Sequence, residues 1–183
     1  MPSPSARYLV AGTCLLCAAW SLYTHTKTQQ CISSRGTSVD VSWHGSCSDA
    51  NATMLYAVSE RVHRVTNSHR VRGTQCGERI RIHWDGSIHQ LVDAGRAPAV
   101  TTGKRHIRVC LDDTHATNDV DAVVFIVLHE LAHIGSGSIG HTDEFWRTFQ
   151  FLLQVAEAEG VYVAHNPNAT VCGERLGDIP NRI

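Results

Sequence analysis

The feature that most constrains the fold is a long apolar run in the C-terminal half, DVDAVVFIVLHELAHI, at residues 119–134. Thr117 or Asn118 can cap a helix at its start, and the acidic residues of the first turn suit the positive end of the helix dipole. The body of the run is apolar on every face, which is typical of a helix surrounded by other elements. The run therefore predicts a helix that is buried nearly all round.

The same helix carries the motif His129-Glu130-Leu131-Ala132-His133. Residues four apart lie on one face of a helix, about 6 Å apart along the axis, so both imidazoles can reach one ion. Glu130 lies beside them, where a carboxylate can accept a proton from a metal-bound water. Burying these polar side chains without a ligand is costly. The motif therefore favours a metal site over two core histidines with a surface glutamate.

A catalytic zinc site uses three protein ligands and an open position for water, so a third ligand must come from elsewhere. His141 follows His133 by eight residues, and the glycine-rich stretch between them, GSGSIG, allows the chain to turn back. Glu157 is a rival ligand on the following helix, and Glu144 is a further alternative. The sequence favours His141, because imidazole is a good zinc ligand and this position between glycine and a helix start is otherwise unexplained.

Two more helices are predicted from periodicity and capping. The first covers about residues 50–66, after Ser48 or Asp49 as the cap. The second begins at Thr142 with an apolar stripe led by aromatic residues, and Gly160 ends it. Both helices are amphipathic, so both are expected to pack on the apolar helix.

Strands are predicted where apolar and polar residues alternate. The alternation at 79–84 precedes an Asp85-Gly86 turn and a returning strand at 88–92. Another strand is expected at 105–111, where an extended substrate can add as a further strand. The tail from Val161 is expected to begin as a strand and continue as a loop. These strands predict a small sheet.

The N-terminal segment Tyr8–Tyr23, YLVAGTCLLCAAWSLY, contains no charge. As a helix it would span about 24 Å, a little less than a hydrocarbon layer of about 30 Å. Trp20 suits a membrane interface, and Arg7 suits a cytoplasmic N-terminus, so the segment predicts an uncleaved anchor. A cleaved signal peptide is the alternative. The domain is then expected on a lumenal or extracytoplasmic membrane face, a virion membrane included, or else secreted.

The chain divides into three predicted segments: an anchor or signal at 1–27, a stalk at 28–47 rich in Thr, Ser and Gln, and the domain that carries the HExxH motif at 48–183. Asn51 and Asn168 each begin a glycosylation acceptor sequence, which suits a translocated domain. Five cysteines follow the apolar segment, so at most two disulfides and one thiol are expected, with pairings left open: Cys31, Cys47, Cys76, Cys110 and Cys172.

The overall charge limits the range of partners. The chain has 16 Lys and Arg against 17 Asp and Glu, a formal charge of -1. Bulk charge therefore gives no reason to bind nucleic acid, and no nucleic-acid partner is expected. The expected partners are a protein or peptide substrate and, through the N-terminal helix, a membrane.

The segment LHELAHIGSGSIGHTDEFWRTFQFLL, Leu128–Leu153, resembles the WLM and SprT-like zinc metallopeptidases, in which HExxH precedes a glycine-rich turn, a third His and an aromatic helix start. With the IRVCLDD strand and the tail around Val171–Gly173 and Ile179-Pro180, it looks most like membrane-anchored WLM-like proteins of large nucleocytoplasmic DNA viruses. The resemblance covers about residues 105–180.

The resemblance implies an α+β, zincin-like minimal metallopeptidase domain, with a small sheet packed on the HExxH helix and flanking helices after an N-terminal apolar helix. It implies His129, His133 and His141 as zinc ligands and Glu130 as the catalytic base. The spacing to His141 differs from that of metzincins, and no Met follows Met54, so no Met-turn exists. The DNA-linked substrates of cytosolic members are not carried over.

The predicted reaction is peptide hydrolysis by a zinc-activated water with Glu130 as general base. Tyr162 and His165 are candidates for stabilising the oxyanion, although no spacing argument supports either. The alternative is a membrane-anchored structural protein, such as a virion component, that binds zinc without peptidase activity. An intact Glu130 argues against it, because structural zinc sites are usually closed by four ligands.

Overall fold

The computed structural model describes residues 28–32, 38–42, 49–91, 97–111, 119–164 and 168–178. Its helices are α1 Asp49–Asn67, α2 His69–Arg72, α3 Gln75–His83, α4 Val120–Gly135 and α5 Asp143–Ala158, with a 3-10 turn at Leu176–Asp178. Its strands are β1 Thr28–Ile32, β2 Ser38–Ser42, β3 Ile88–Leu91, β4 Ala99–Thr102, β5 His106–Cys110, β6 Thr170–Val171 and β7 Glu174–Arg175. The architecture is mixed α+β, as expected.

Five strands form one sheet in the order β1-β2-β3-β5-β4. Strand β3 is parallel to β2 and to β5, whereas β4 is antiparallel to β5, with Thr101 opposite Ile107. Strand β4 therefore forms one edge of the described sheet. Strands β6 and β7 make a separate hairpin.

Helix α4 is the centre of the core, as its composition predicts. It packs against α1, α3 and α5 and against strands β4 and β5. Every residue from Ala122 to Gly135 except His133 is buried. The cap is Asp119, whose carboxylate accepts hydrogen bonds from the backbone N–H groups of Asp121 and Ala122. The helix therefore begins one to two residues later than the predicted caps.

The two other predicted helices are confirmed. Helix α1 buries the apolar face expected from its spacing, with Val58, Val62 and Val65 fully enclosed. Helix α5 begins at the Thr142 cap, whose hydroxyl accepts a hydrogen bond from the Phe145 N–H. Gly160 follows its end with a φ of +64°, a backbone conformation that favours glycine.

The predicted strand at 79–84 is wrong, because these residues belong mostly to helix α3. The Thr74 hydroxyl caps that helix by accepting from the Gly77 N–H, and the helical spacing buries Gly77 and Ile80. Ile82 is left 59% exposed, so the apparent alternation of apolar residues does not describe a buried face. The Asp85-Gly86 turn leads from this helix into β3, which confirms the strand expected at 88–92.

The expected edge strand at 105–111 is also placed differently. Strand β5 does occupy residues 106–110, but it lies between β3 and β4. The edge is β4, a four-residue strand that the sequence analysis missed because AVTT is too short to show alternation. The tail likewise differs, since residues 161–164 form no strand and the short hairpin comes later.

Strands β1 and β2 lie within the predicted stalk at 28–47. They pair with each other, and β2 joins β3 through Val41 and Gln90, so this part of the chain extends the sheet. The predicted apolar helix at Tyr8–Tyr23 lies outside the described residues. Among the residues that the structure does describe, no helix is both long and apolar enough to cross a membrane.

One disulfide ties the tail to the sheet. Cys110, at the end of β5, is bonded to Cys172, in the turn between β6 and β7. Cys76, by contrast, is a free thiol. The structure thereby assigns one pairing that the sequence left open.

Candidate metal centre

Three histidines meet beside helix α4. His129 and His133 lie one turn apart on that helix, with ring centroids 5.1 Å apart. The ring of His141 lies 5.0 Å from the first and 4.9 Å from the second. One nitrogen of each ring falls within 4.8 Å of the others, so the three side chains can hold one metal ion.

The ring nitrogens are spaced as ligands of one metal ion, and hydrogen bonds between the rings cannot satisfy all three of them. Nε2 of His129 and Nε2 of His141 are 3.0 Å apart, close to the separation of about 3.3 Å for two ligands of one tetrahedral zinc. A single proton can satisfy only one such pair, which leaves the third ring without a partner in the cluster. Nδ1 of His129 is buried and has no hydrogen-bond partner in the described part of the chain.

Two of the histidines are held in the neutral form that binds metals. Burial, together with the charges of His133 and His141, lowers the pKa of His129 to about 3. Burial is also the main cause that lowers the pKa of His133 to about 4, followed by the charges of His141 and Lys104. At neutral pH one nitrogen of each ring is therefore unprotonated and can bind a metal without competition from a proton.

Aromatic residues at the start of α5 surround the three rings. Phe145 lies within 4.8 Å of each histidine ring, measured between centroids. Trp146 stacks on His141 with an interplanar angle of 25°. This apolar packing fixes the ring orientations and excludes water from one side of the cluster. The aromatic start of the helix is therefore part of the site.

The third histidine is brought back by the histidine-bearing turn, residues 135–141. Gly135 lies so close to α3 that a Cβ there would meet Cys76 Sγ at 2.7 Å. Gly140 has a φ of +80°, which reverses the chain immediately before His141. Gly140 thus serves the reversal that the sequence predicts for this stretch, whereas Gly135 is required by close packing.

The two rival ligands lie elsewhere. Oε1 of Glu144 accepts hydrogen bonds from Arg79 Nη1 at 2.6 Å and from the Gly137 N–H at 2.9 Å. These bonds, the one from Gly137 first, lower the pKa of Glu144 to about 2. Glu157 is exposed near the end of α5. Neither carboxylate belongs to the histidine cluster.

Glu130 is a buried carboxylate with a specific partner, and only 8% of the residue is exposed. The hydroxyl of Thr101, on the edge strand β4, donates a hydrogen bond of 2.6 Å to Oε2 of Glu130. Burial raises the pKa of Glu130, and the bond from Thr101 opposes this rise. Thr101 was not identified from the sequence, since nothing there marks β4 as the strand that faces this helix.

Lys104 is a second residue that the sequence analysis missed. It lies in the β4–β5 turn with a φ of +53°, a conformation rare for side chains other than Asn, Asp and Gly. Its ammonium donates hydrogen bonds to the carbonyl oxygens of Ser136 and Ser138, at 2.8 and 2.9 Å. Lys104 thus contacts the histidine-bearing turn.

The remaining predicted residues are scattered. The ring of Tyr162 is 6% exposed and stacks on Phe125, one helical turn before His129. His165 lies outside the described residues.

The side-chain amide of Asn51 donates to the Leu111 carbonyl at 3.4 Å. The Asn168 side chain accepts a hydrogen bond from Arg175.

Comparison with known proteins finds viral relatives. Uncharacterized protein 042R of Invertebrate iridescent virus 3 is 41% identical over 69 residues, covering 37% of this chain and 43% of the relative. Uncharacterized protein 136R of Invertebrate iridescent virus 6 is 32% identical over 71 residues, covering 37% and 40%. Uncharacterized protein R325 of Acanthamoeba polyphaga mimivirus is 28% identical over 79 residues, covering 42% and 40%.

These similarities cover only part of each protein, and the chain spans less than half the length of the relatives it matches. No protein-family model matches the chain. No solved structure matches it either.

Proposed function

We propose that this protein is a zinc-dependent metallopeptidase that hydrolyses peptide bonds in a protein or peptide substrate. One observation carries the proposal: three imidazoles converge on one point, and the residue between the two helical ligands is a buried glutamate held by a hydrogen bond from the edge strand. A structural zinc site needs no such carboxylate and usually has four closed ligands.

His129, His133 and His141 would hold the zinc, and a bound zinc supplies Lewis-acid chemistry by lowering the pKa of water and polarising a carbonyl. The three ligands would be neutral imidazoles, so none of them would offset the charge of the ion, which favours acidification of water. This set is one used by catalytic zinc, with a position left open.

Glu130 would act as the general base and then return the proton to the leaving amine. Its burial raises the pKa of the carboxylate, which makes it a stronger base than an exposed glutamate. The bond from Thr101 fixes one carboxylate oxygen and leaves the other oxygen to accept the proton. Thr101 therefore sets the orientation of the base.

Strand β4 offers a place for the substrate backbone. It has a single neighbour, β5, in the described sheet, so its outer edge can pair with an extended peptide. Because Thr101 of this strand contacts Glu130, a peptide paired along β4 would pass close to the base. This arrangement replaces the edge first expected at 105–111.

The location of the domain is part of the proposal. The Cys110–Cys172 disulfide supports folding in an oxidising compartment, consistent with a domain held outside the cytosol by the apolar N-terminal segment. The similarity to iridovirus and mimivirus proteins supports a viral setting. A WLM- or SprT-like zincin anchored in a membrane accommodates all of these features.

The test uses the full chain purified in detergent, loaded with zinc and supplied with a quenched-fluorescent peptide library. We expect hydrolysis that a chelator abolishes and added zinc restores. Glu130→Gln is nearly isosteric, so it should retain zinc and the melting temperature while activity falls by far more than tenfold. Residual activity within about tenfold of the parent, on the order of 1.4 kcal/mol, would remove Glu130 as the base. Zinc binding without any hydrolysis by the parent would favour the structural alternative.

A further inference from the structure

We infer that three charged residues outside the ligand set, Lys104, Arg79 and Glu144, form a clamp that positions His141 by holding the histidine-bearing turn. The inference rests on the proposed metal site and deepens it. The clamp residues act through the backbone of residues 135–138, so they are positioning residues. They come from three different elements: the β4–β5 turn, α3 and α5.

Lys104 holds the turn from the sheet side. Its ammonium bonds the Ser136 carbonyl, three residues after His133, and the Ser138 carbonyl, three residues before His141. One cation thus spans the backbone between the two ligands. The backbone of Lys104 is itself in the left-handed region, which a lysine rarely adopts. The two hydrogen bonds from the Lys104 ammonium to the turn help to hold its backbone in this conformation.

Arg79 and Glu144 hold the turn from the helix side. Arg79 Nη1 donates to the Gly135 carbonyl at 3.3 Å and to Glu144 Oε1 at 2.6 Å. The same carboxylate oxygen accepts from the Gly137 N–H. The guanidinium also packs over Gly137, where a Cβ would meet Arg79 Nη2 at 2.7 Å. Every residue from 135 to 138 therefore has a backbone group bound to one of the three clamp residues.

The clamp acts on the N-terminal side of His141, because Thr142, the residue after it, is already held as the α5 cap and by a hydrogen bond between its hydroxyl and that of Ser138. Ile139 is 90% exposed and Gly140, the residue before the ligand, lacks a side chain. A glycine-rich segment that is free in the metal-free protein must be ordered when the ligand binds, and that cost lowers metal affinity. The clamp orders the turn in the metal-free protein, so metal binding does not have to bear this entropic cost.

Replacing Lys104 tests the clamp, because the loss of its charge and the loss of its contacts would change metal affinity in opposite directions. A positive charge near a cation site weakens metal binding through Coulomb repulsion, so loss of the charge alone should strengthen binding. Loss of the clamp should weaken it, because groups that orient metal ligands typically contribute 10–100-fold in affinity. The two roles of Lys104 therefore predict opposite changes.

The variant is Lys104→Asn, because asparagine tolerates the left-handed backbone of the turn and is too short to reach Ser136 or Ser138. The control is Arg105→Gln, which removes one positive charge from the adjacent residue. The Arg105 side chain is exposed and is not among the groups bonded to residues 135–138, so this variant leaves the clamp intact. Melting temperature and circular dichroism establish that each full-length variant is folded.

The measurement is titration of the metal-free full chain with Co²⁺, followed by visible absorption, and with Zn²⁺ against a competing chelator. We expect Lys104→Asn to bind both ions at least tenfold more weakly and to lose intensity in the Co²⁺ bands, which report on coordination geometry. Arg105→Gln should bind with equal or higher affinity than the parent.

Unchanged or tighter binding by Lys104→Asn, with an unchanged Co²⁺ spectrum, would overturn the clamp while leaving the metal site in place. A tenfold loss in Arg105→Gln equal to that in Lys104→Asn would also overturn it, since the loss would then not depend on contacts with the turn. If the parent chain binds neither ion, the proposed function fails first. Failure of the clamp and failure of the metal site are therefore distinguishable.

Discussion

The hydroxyl of Thr101 and the carboxylate of Glu130 are joined by a 2.6 Å hydrogen bond that connects the edge strand of the sheet to the helix bearing two of the three histidines. The two residues are 29 positions apart in the chain. The bond couples the surface proposed to bind the peptide backbone to the residue proposed to move the proton. We therefore expect a change in β4 to alter the proposed catalysis without touching any of the three histidines.

Thr101→Val should displace the pH dependence of the reaction. Valine has a similar shape but no hydroxyl, so Glu130 loses the bond that opposes the rise of its pKa. The acid limb of the kcat/KM profile should move to higher pH, and stability should fall by about 1–3 kcal/mol because a buried acceptor loses its partner. Thr101→Ser keeps the hydroxyl and serves as the control. A profile for Thr101→Val that coincides with the serine variant would show that the bond does not tune the base.

His141→Ala should lose the metal, whereas Glu157→Ala should keep it. The imidazole of His141 lies in the cluster, and the Glu157 side chain is exposed on α5. Metal content after dialysis, measured by elemental analysis, separates the two variants. The opposite result would assign the third ligand to the downstream glutamate.

Metal-free protein should lose stability in acid because of His129. The pKa of this residue is about 3 in the folded chain and about 6.5 when unfolded, so the unfolded state binds more protons between these values. The free energy of unfolding is therefore unaffected by His129 above pH 6.5. Below that pH it falls by at most about 1.4 kcal/mol per pH unit. Urea unfolding of the metal-free chain at several pH values measures this slope. His129→Leu should have a shallower slope, and equal slopes would contradict the assignment.

Cys110→Ala should destabilise the domain by about 4 kcal/mol, because the disulfide closes a loop over a sequence separation of 62 residues. The double variant Cys110→Ala/Cys172→Ala should be destabilised to a similar extent without leaving an unpaired thiol. Thermal or urea unfolding of the oxidised parent and both variants provides the comparison. A loss below about 1 kcal/mol in the double variant would mean that the tail hairpin is held by packing alone.

The Cys76 thiol should be chemically inert in the folded protein. Burial raises its pKa to about 11, although the charge of Arg79 opposes the rise, so almost no thiolate exists at pH 8. Alkylation followed by peptide mapping should label Cys76 rapidly in denaturant and slowly without it. Equal labelling rates in the two conditions would be incompatible with the packed position of this residue against Gly135.

Three of the described helices, α1, α4 and α5, were predictable because their signals are local. The apolar run at 119–134 and the Thr142 cap specify α4 and α5 through periodicity and capping, and the i, i+4 spacing specifies that His129 and His133 share a face. The sequence also favoured His141, because a glycine-rich stretch before a histidine permits reversal toward the first two. These inferences need only residues close together in the chain.

The sheet was less predictable because strand pairing depends on distant residues. Residues 79–84 alternate like a strand, yet the Thr74 cap and the fit of Gly77 against Val71 favour a helix. Strand β4 has four residues and acquires its role only from its position beside α4. Thr101 and Lys104 reach the site through that position, so no local pattern could identify them.

The Cys110–Cys172 bridge has a consequence for how damage to this protein would be detected. His129, Glu130, His133 and His141 all fall between the two bridged positions, so backbone scission anywhere in that interval leaves both products in one covalent molecule. Self-digestion or nicking by another protease would therefore be invisible on a gel run without reductant. A preparation that looks intact under those conditions can already be two chains, and only thiol treatment would release them.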